Sequence, residues 1–182
     1  MMLQSKLLAV GGVPATGKTT LMRQFMNEFK DWKPTEMFPK VHGHYNREND
    51  IYVLGKYTDG DLFAGTDKLS MAVQPKMLRY LKIVRGVKIV FEGDRLFTKS
   101  FLEEVALDEG IEMRVMVLEV PPKTVTERHI SRNDSQSEKF IKGRETKVNN
   151  ILNSNIACDR ISHCSPKETK NAAEAMKSWL LS

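Results

Sequence analysis

The feature that most constrains this chain lies between Leu7 and Phe29, where an apolar run, a glycine-bounded loop and an amphipathic stretch follow one another. Leu7-Leu8-Ala9-Val10 is continuously apolar, as expected of a strand buried on both faces of a parallel sheet. Gly12-Val13-Pro14-Ala15-Thr16-Gly17-Lys18-Thr19 then matches G-x-x-x-x-G-K-[ST] at every fixed position. Leu21, Phe25 and Phe29 recur every four residues, one face of a helix ending near Trp32. Glycines let the backbone wrap around a phosphate and aim successive N–H groups inward, and the helix start adds the positive end of its dipole. Gly12 through Thr19, with Thr20, are therefore the candidate nucleotide-binding residues. Lys18 is placed to reach the β- and γ-phosphates, and the Thr19 hydroxyl to ligate Mg²⁺. The pattern alone arises by chance; the strand before it and the helix after it give it meaning.

The rest of the chain alternates strand-length apolar runs with helical patterns, the signature of an α/β domain with a parallel sheet. Strands are expected at Ile51–Leu54, Val87–Phe91, Met113–Val120 and around Ile161, and the stretch 33–50 reads as mostly loop because of Pro34, Pro39 and many polar residues. A helix starting near Leu69 should be kinked or divided by Pro75. Further helices are expected over Ser100–Glu109, Thr124–Asn133 and Glu138–Asn153, the last opened by a Ser135-x-x-Glu138 capping box. Ser165-Pro166-x-Glu168 starts a final helix running towards Leu181. At 182 residues the chain is expected to form one domain, 1–182.

Composition narrows the classes. A 41% hydrophobic, 28% charged chain is an ordinary globular mixture, and no apolar run approaches the roughly 18 residues of a membrane span. Two cysteines, Cys158 and Cys164, exclude a disulfide scaffold, are expected to be small buried residues, and fit a reducing, cytoplasmic setting. The formal charge of +5 suits a polyanionic ligand without identifying it, and Lys123–Lys170 holds ten basic residues against six acidic ones.

Two further clusters carry chemistry. Phe91-Glu92-Gly93-Asp94-Arg95 follows a buried strand, and ligands of open parallel sheets gather at the carboxyl ends of strands. One acid there can hold Mg²⁺ as a Walker B residue does, a role assigned to Glu92, while Asp94 could orient or deprotonate an acceptor hydroxyl. Arg95 could clamp a phosphate; a solvated Asp–Arg pair is the plainer alternative. Arg128 and Arg132, four apart on one helix face, and Arg144 on the next helix describe a lid at about 124–150, closing over phosphates around a polar tip. A solvated basic face would look similar.

Together these elements resemble the P-loop kinases of small phosphate acceptors, the nucleoside and nucleotide kinase group. The resemblance spans nearly the whole chain. It implies a P-loop NTPase three-layer sandwich, a parallel five-stranded sheet flanked by helices, a helical lid, and ATP and Mg²⁺ as cofactors. The strings GTDKLSMAVQP (Gly65–Pro75), FEGDRLF (Phe91–Phe97) and RNDSQSEKFIKGRETKVNNI (Arg132–Ile151) resemble bacteriophage kinases that phosphorylate 5-hydroxymethyluracil within DNA, a step towards hypermodified thymidine. On that resemblance Asp67 and Ser70 line the acceptor side, with Arg95 and Arg144, and Asp67 is a candidate general base; a plain helix N-cap would also explain Asp67. DNA containing a modified pyrimidine is then the partner, its base flipped out or presented on a single strand. Tyr45, Tyr52 and Tyr57 are available for stacking. His42-x-His44 lacks partners at zinc spacing and reads as loop polarity, with His44 able to touch the acceptor. Two alternatives stand beside this reading: a kinase of a free nucleoside or nucleoside monophosphate, and a nucleotide-dependent switch. The paired acids and arginine lid argue against the switch.

Overall fold

The computed structural model describes residues 4–57, 64–131 and 137–182. Strand β1 (Ser5–Gly11) runs through the loop into helix α1 (Lys18–Asn27). A hairpin of β2 (Trp32–Phe38) and β3 (Val41–Asn46) leads to β4 (Ile51–Leu54), a 3-10 turn (Thr66–Lys68) and α2 (Val73–Ile83). Then come β5 (Lys88–Glu92), α3 (Lys99–Ala106), β6 (Ile111–Glu119), α4 (Pro122–Ser131), α5 (Glu138–Leu152), β7 (Cys158–Ser162) and α6 (Pro166–Leu181).

The sheet has seven strands in the order β2-β3-β4-β5-β1-β6-β7. The five from β4 to β7 are parallel, with β1 in the middle between β5 and β6. The expected parallel five are thus present, and the stretch expected to be loop adds two antiparallel strands at the β4 edge. Pro34 is tolerated there because an edge strand has one ladder to satisfy, not two. The β3–β4 turn is closed by buried Asn46, whose side chain donates to the Lys30 carbonyl and accepts from the Asn49 backbone and amide.

Strand alternation builds the three layers. Leu7 and Ala9 face one side of the sheet, with Met77 and Leu81 of α2, Phe101 and Leu102 of α3, and Val148 and Ile151 of α5. Leu8 and Val10 face the other, with Leu21, Met22 and Phe25 of α1 and Ala173, Met176 and Leu180 of α6. Helix α4 buries none of its residues, so it lies outside both layers.

Two helix starts and one helix cap differ from expectation. Pro75 falls in the first turn of α2, where a missing N–H removes no helical hydrogen bond, so the helix is neither kinked nor split. Helix α4 begins at Pro122, and α5 is capped by Ser137, whose hydroxyl accepts from Phe140 N, in place of Ser135. Ser135, with Arg132, lies outside the described residues. The Ser165–Glu168 capping box of α6 forms as expected, with Pro166 at the first helical position.

Candidate active site

The loop between β1 and α1 takes left-handed backbone at Gly12 (φ +145°), Ala15 (φ +64°) and Gly17 (φ +92°). The Thr16 hydroxyl, fully buried, donates to the Val13 carbonyl and tightens the loop from within. Lys18 Nζ lies over the loop, donating to the carbonyls of Gly12 (2.9 Å) and Val13 (3.1 Å). Helix α1 has no side-chain cap and no acidic residue in its first turn. Its leading N–H groups and dipole are therefore left for an anion. Thr20 is exposed and lines a cavity of about 420 Å³ beside Gly17.

At the neighbouring strand end the Thr19 hydroxyl donates to Glu92 Oε1 at 3.2 Å, and Tyr57 OH approaches the same oxygen at 3.5 Å. Burial pushes the Glu92 carboxyl up to about 7, and the charges of Asp67 and Asp94 add to this, while Lys18 and the Thr19 hydroxyl oppose it. A hydroxyl and a carboxylate side by side, both hard oxygen donors at a phosphate loop, fit Mg²⁺. Among the described residues no cluster of three or more His, Cys, Asp or Glu could hold a metal ion alone, so nucleotide oxygens would complete the coordination.

The second acid behaves differently from an N-cap. The turn carrying Asp67 is preceded by Gly65 with no side-chain cap, and Asp67 Oδ1 accepts from Asp94 N at 2.9 Å. Thr66 Oγ1 donates to the Glu92 carbonyl at 2.9 Å. The 3-10 turn is thus bonded across to the end of β5, where Gly93 (φ +109°) excludes a side chain because a Cβ would lie 2.7 Å from Thr66 Oγ1. Burial, then the charge of Asp94, raises the pKa of Asp67. Asp94 Oδ2 pairs with Arg144 NH1 at 2.6 Å, and the Arg144 guanidinium also lies 4.6 Å over the Phe140 ring. So Asp67, Glu92, Asp94 and Arg144 converge on one end of the sheet beside Lys18 and Thr19.

Other expected residues are placed less directly. Ser70 is exposed in the turn before α2, its hydroxyl accepting from Ala72 N. The carbonyl of Arg95 accepts from Gln74, and its Nε is buried with no hydrogen-bond partner among the described residues. Arg128 NH1 donates to the Ala15 carbonyl and its NH2 to the His163 carbonyl, both at 3.1 Å, so this arginine grips the phosphate loop itself. Tyr45 and Tyr52 stack on each other, 4.4 Å between centroids. Cys164 is exposed, contrary to expectation, and lines the cavity beside Gly17.

His163 escaped sequence reasoning. It follows β7, is 3% exposed, and its Nδ1 lies 2.8 Å from the Thr16 carbonyl and its Nε2 2.9 Å from Thr169 Oγ1. A carbonyl only accepts, so Nδ1 carries the proton, and the Thr169 hydroxyl donates to Nε2 of the neutral ring. Burial lowers its pKa, which favours this neutral form. The available signal was position: the residue sits just past the carboxyl end of a parallel strand.

A parallel α/β sheet whose central strand feeds a phosphate loop, with a metal-competent Thr–Glu pair beside it, defines the P-loop kinase fold. The chain belongs to the P-loop nucleotide kinase 3 family, whose sequence profile matches residues 3–176, and it is a phosphotransferase. Its structure is similar to that of an unliganded sugar kinase from Janibacter sp., with a TM-score of 0.52 and 16% sequence identity over 97% of this chain and 94% of that one. It is also similar to a gluconokinase from Sinorhizobium meliloti, with a TM-score of 0.49 and 12% identity over 99% and 97%. At such identities the first likeness shows a shared fold. No curated protein matches the chain in sequence. No helix among the described residues is long and apolar enough to cross a membrane.

Proposed function

We propose that the chain is an ATP- and Mg²⁺-dependent kinase that phosphorylates the hydroxymethyl group of 5-hydroxymethyluracil in DNA. One observation carries the acceptor assignment. The three strings that resemble the phage DNA-base kinases are the ones whose residues meet at the site: Asp67 from the first, Glu92 and Asp94 from the second, Arg144 from the third. This convergence supports the reading.

In this reading the loop N–H groups and Lys18 bind the nucleotide phosphates, and Arg128 stiffens the loop through Ala15. Thr19 and Glu92 would hold Mg²⁺, which would supply positive charge against the nucleotide phosphates. Asp67 takes the proton of the acceptor hydroxyl, since its raised pKa moves it towards the working range of a general base. Arg144 orients Asp94 through their 2.6 Å pair and is the arginine assigned to a transferring phosphoryl group. The family description favours a second reading, a free nucleotide as acceptor.

The test is transfer of labelled γ-phosphate from ATP to matched oligonucleotides with thymine or 5-hydroxymethyluracil, alongside free nucleosides and monophosphates. Label on the hydroxymethylated DNA alone, lost in Asp67→Asn, is the expected result. Label on a free nucleotide alone overturns the DNA assignment and leaves the phosphate site intact.

A further inference from the structure

The unexpected β2–β3 hairpin carries a basin that the catalytic cluster does not use. Register sets Pro34 opposite His44 and Glu36 opposite His42, so these four residues share one face of the sheet. The segment leaving β4 supplies the second wall with Lys56 and Tyr57 and is held in place by the backbone bonds Lys56 N to Gly65 O (3.3 Å) and Gly65 N to Lys56 O (3.0 Å). The basin is open to solvent on one side, and its volume of about 370 Å³ is within the range of small-ligand sites.

Its lining is suited to a flat ring. The His44 and Tyr57 rings, both lining the basin, lie 6.0 Å apart and are tilted at 57° to each other. Burial lowers the pKa of His44, leaving a neutral imidazole at neutral pH, and the rim carries one charge of each sign, exposed Lys56 and exposed Glu36. The basin also lies at a defined place relative to the chemistry. Tyr57 turns its hydroxyl to Glu92 while its ring lines the basin, so one phenol ring separates the basin from the carboxylate beside Thr19. The reacting base itself must sit nearer Asp67.

We propose that this basin seats the nucleobase next to the reacting one on the same DNA strand, stacked against His44 and Tyr57. This rests on the DNA-kinase reading above and deepens it: the enzyme reads a strand, not an isolated nucleotide. Base–aromatic stacking tolerates any base, so the site grips the neighbour without dictating its identity.

The test is abasic scanning. Equilibrium binding of a short single-stranded oligonucleotide with one central 5-hydroxymethyluracil is measured with the protein saturated by a non-hydrolysable ATP analogue. Each base in turn is replaced by an abasic site. In the wild type, removing one particular neighbour of the central base should weaken binding by at least about fivefold, the lower end for stacking one base on an aromatic ring. In His44→Ala that penalty should vanish, and in His44→Phe it should persist, with all three proteins melting at similar temperatures and binding ATP equally. A neighbour penalty that His44→Ala leaves unchanged overturns the basin assignment while the DNA reading survives. No measurable oligonucleotide binding by the wild type, alongside transfer to a free nucleotide, overturns the DNA reading and the basin with it.

Discussion

Glu92 should make the metal-free protein less stable as pH rises, and the structure sets the size of the effect. Its carboxyl is 2% exposed and raised from 4.5 to about 7, mainly by burial. The unfolded chain releases this proton near 4.5, whereas the folded chain keeps it until about 7. Stability contributed by the neutral acid is therefore fully present below pH 4.5 and is lost as pH rises through 7. At about 1.36 kcal/mol per pH unit, that interval amounts to about 3 kcal/mol. Glu92→Gln keeps the shape and the oxygen that accepts from Thr19 but cannot ionise. Urea unfolding in EDTA, at pH 5 and pH 8, should show wild type losing a few kcal/mol relative to Glu92→Gln across the interval. The same variant should lose phosphoryl transfer, because a neutral amide is a poor Mg²⁺ ligand. Parallel pH slopes for the two proteins would refute the burial argument for Glu92.

Three other outcomes follow from the same geometry. Lys18→Ala should lose most transfer activity, at least about a hundredfold by analogy with removing one preorganised charge stabiliser, with an unchanged circular dichroism spectrum. Gly17→Ala combines φ +92° with a Cβ 2.7 Å from the His163 ring, so it should weaken ATP binding in calorimetry and lower the melting temperature by several degrees. Arg144→Ala removes a half-buried partner of Asp94. Its stability cost should fall between roughly 0.5 kcal/mol for an exposed pair and roughly 3 kcal/mol for a buried one, with a larger fall in kcat than in ATP affinity.

What could be read from sequence depended on how far apart in the chain the cooperating residues lie. The phosphate loop was legible because its determinants are contiguous: Gly12, Gly17, Lys18 and Thr19 supply conformation, charge and hydroxyl within one turn of chain, between a strand and a helix that announce themselves by periodicity. The strand-end rule placed Glu92 and Asp94 correctly for the same reason, since position at the end of a buried run is a local property. Asp67 could not be resolved, because cap and cross-chain acceptor differ only in which backbone N–H the carboxylate finds, and that N–H belongs to Asp94. The β2–β3 hairpin was missed because β2 is the edge strand, with one ladder to satisfy, so Pro34 reads as a breaker unless the edge is known, and because β3, Val41-His42-Gly43-His44-Tyr45-Asn46, shows no apolar alternation. His163 was missed because its worth lies in bonds to Thr16 and Thr169 and in the carbonyl it offers Arg128.

These differences follow a functional division. Phosphate is the same ligand in every nucleotide, so a short contiguous motif suffices to bind it, and the residues that hold that motif still, His163 and Arg128, come from more than a hundred residues further along the chain. The acceptor differs from one kinase to another, and on the reading proposed above its side of the site is assembled from the 3-10 turn, the end of β5, helix α5 and the added hairpin, four segments with no common pattern. On that reading specificity resides where the sequence is least periodic. Substitutions that impair transfer to the acceptor are, on the same reading, expected at Asp67 and Arg144, those that weaken the hold on a neighbouring base at His44, and those that abolish nucleotide binding between Gly12 and Thr19.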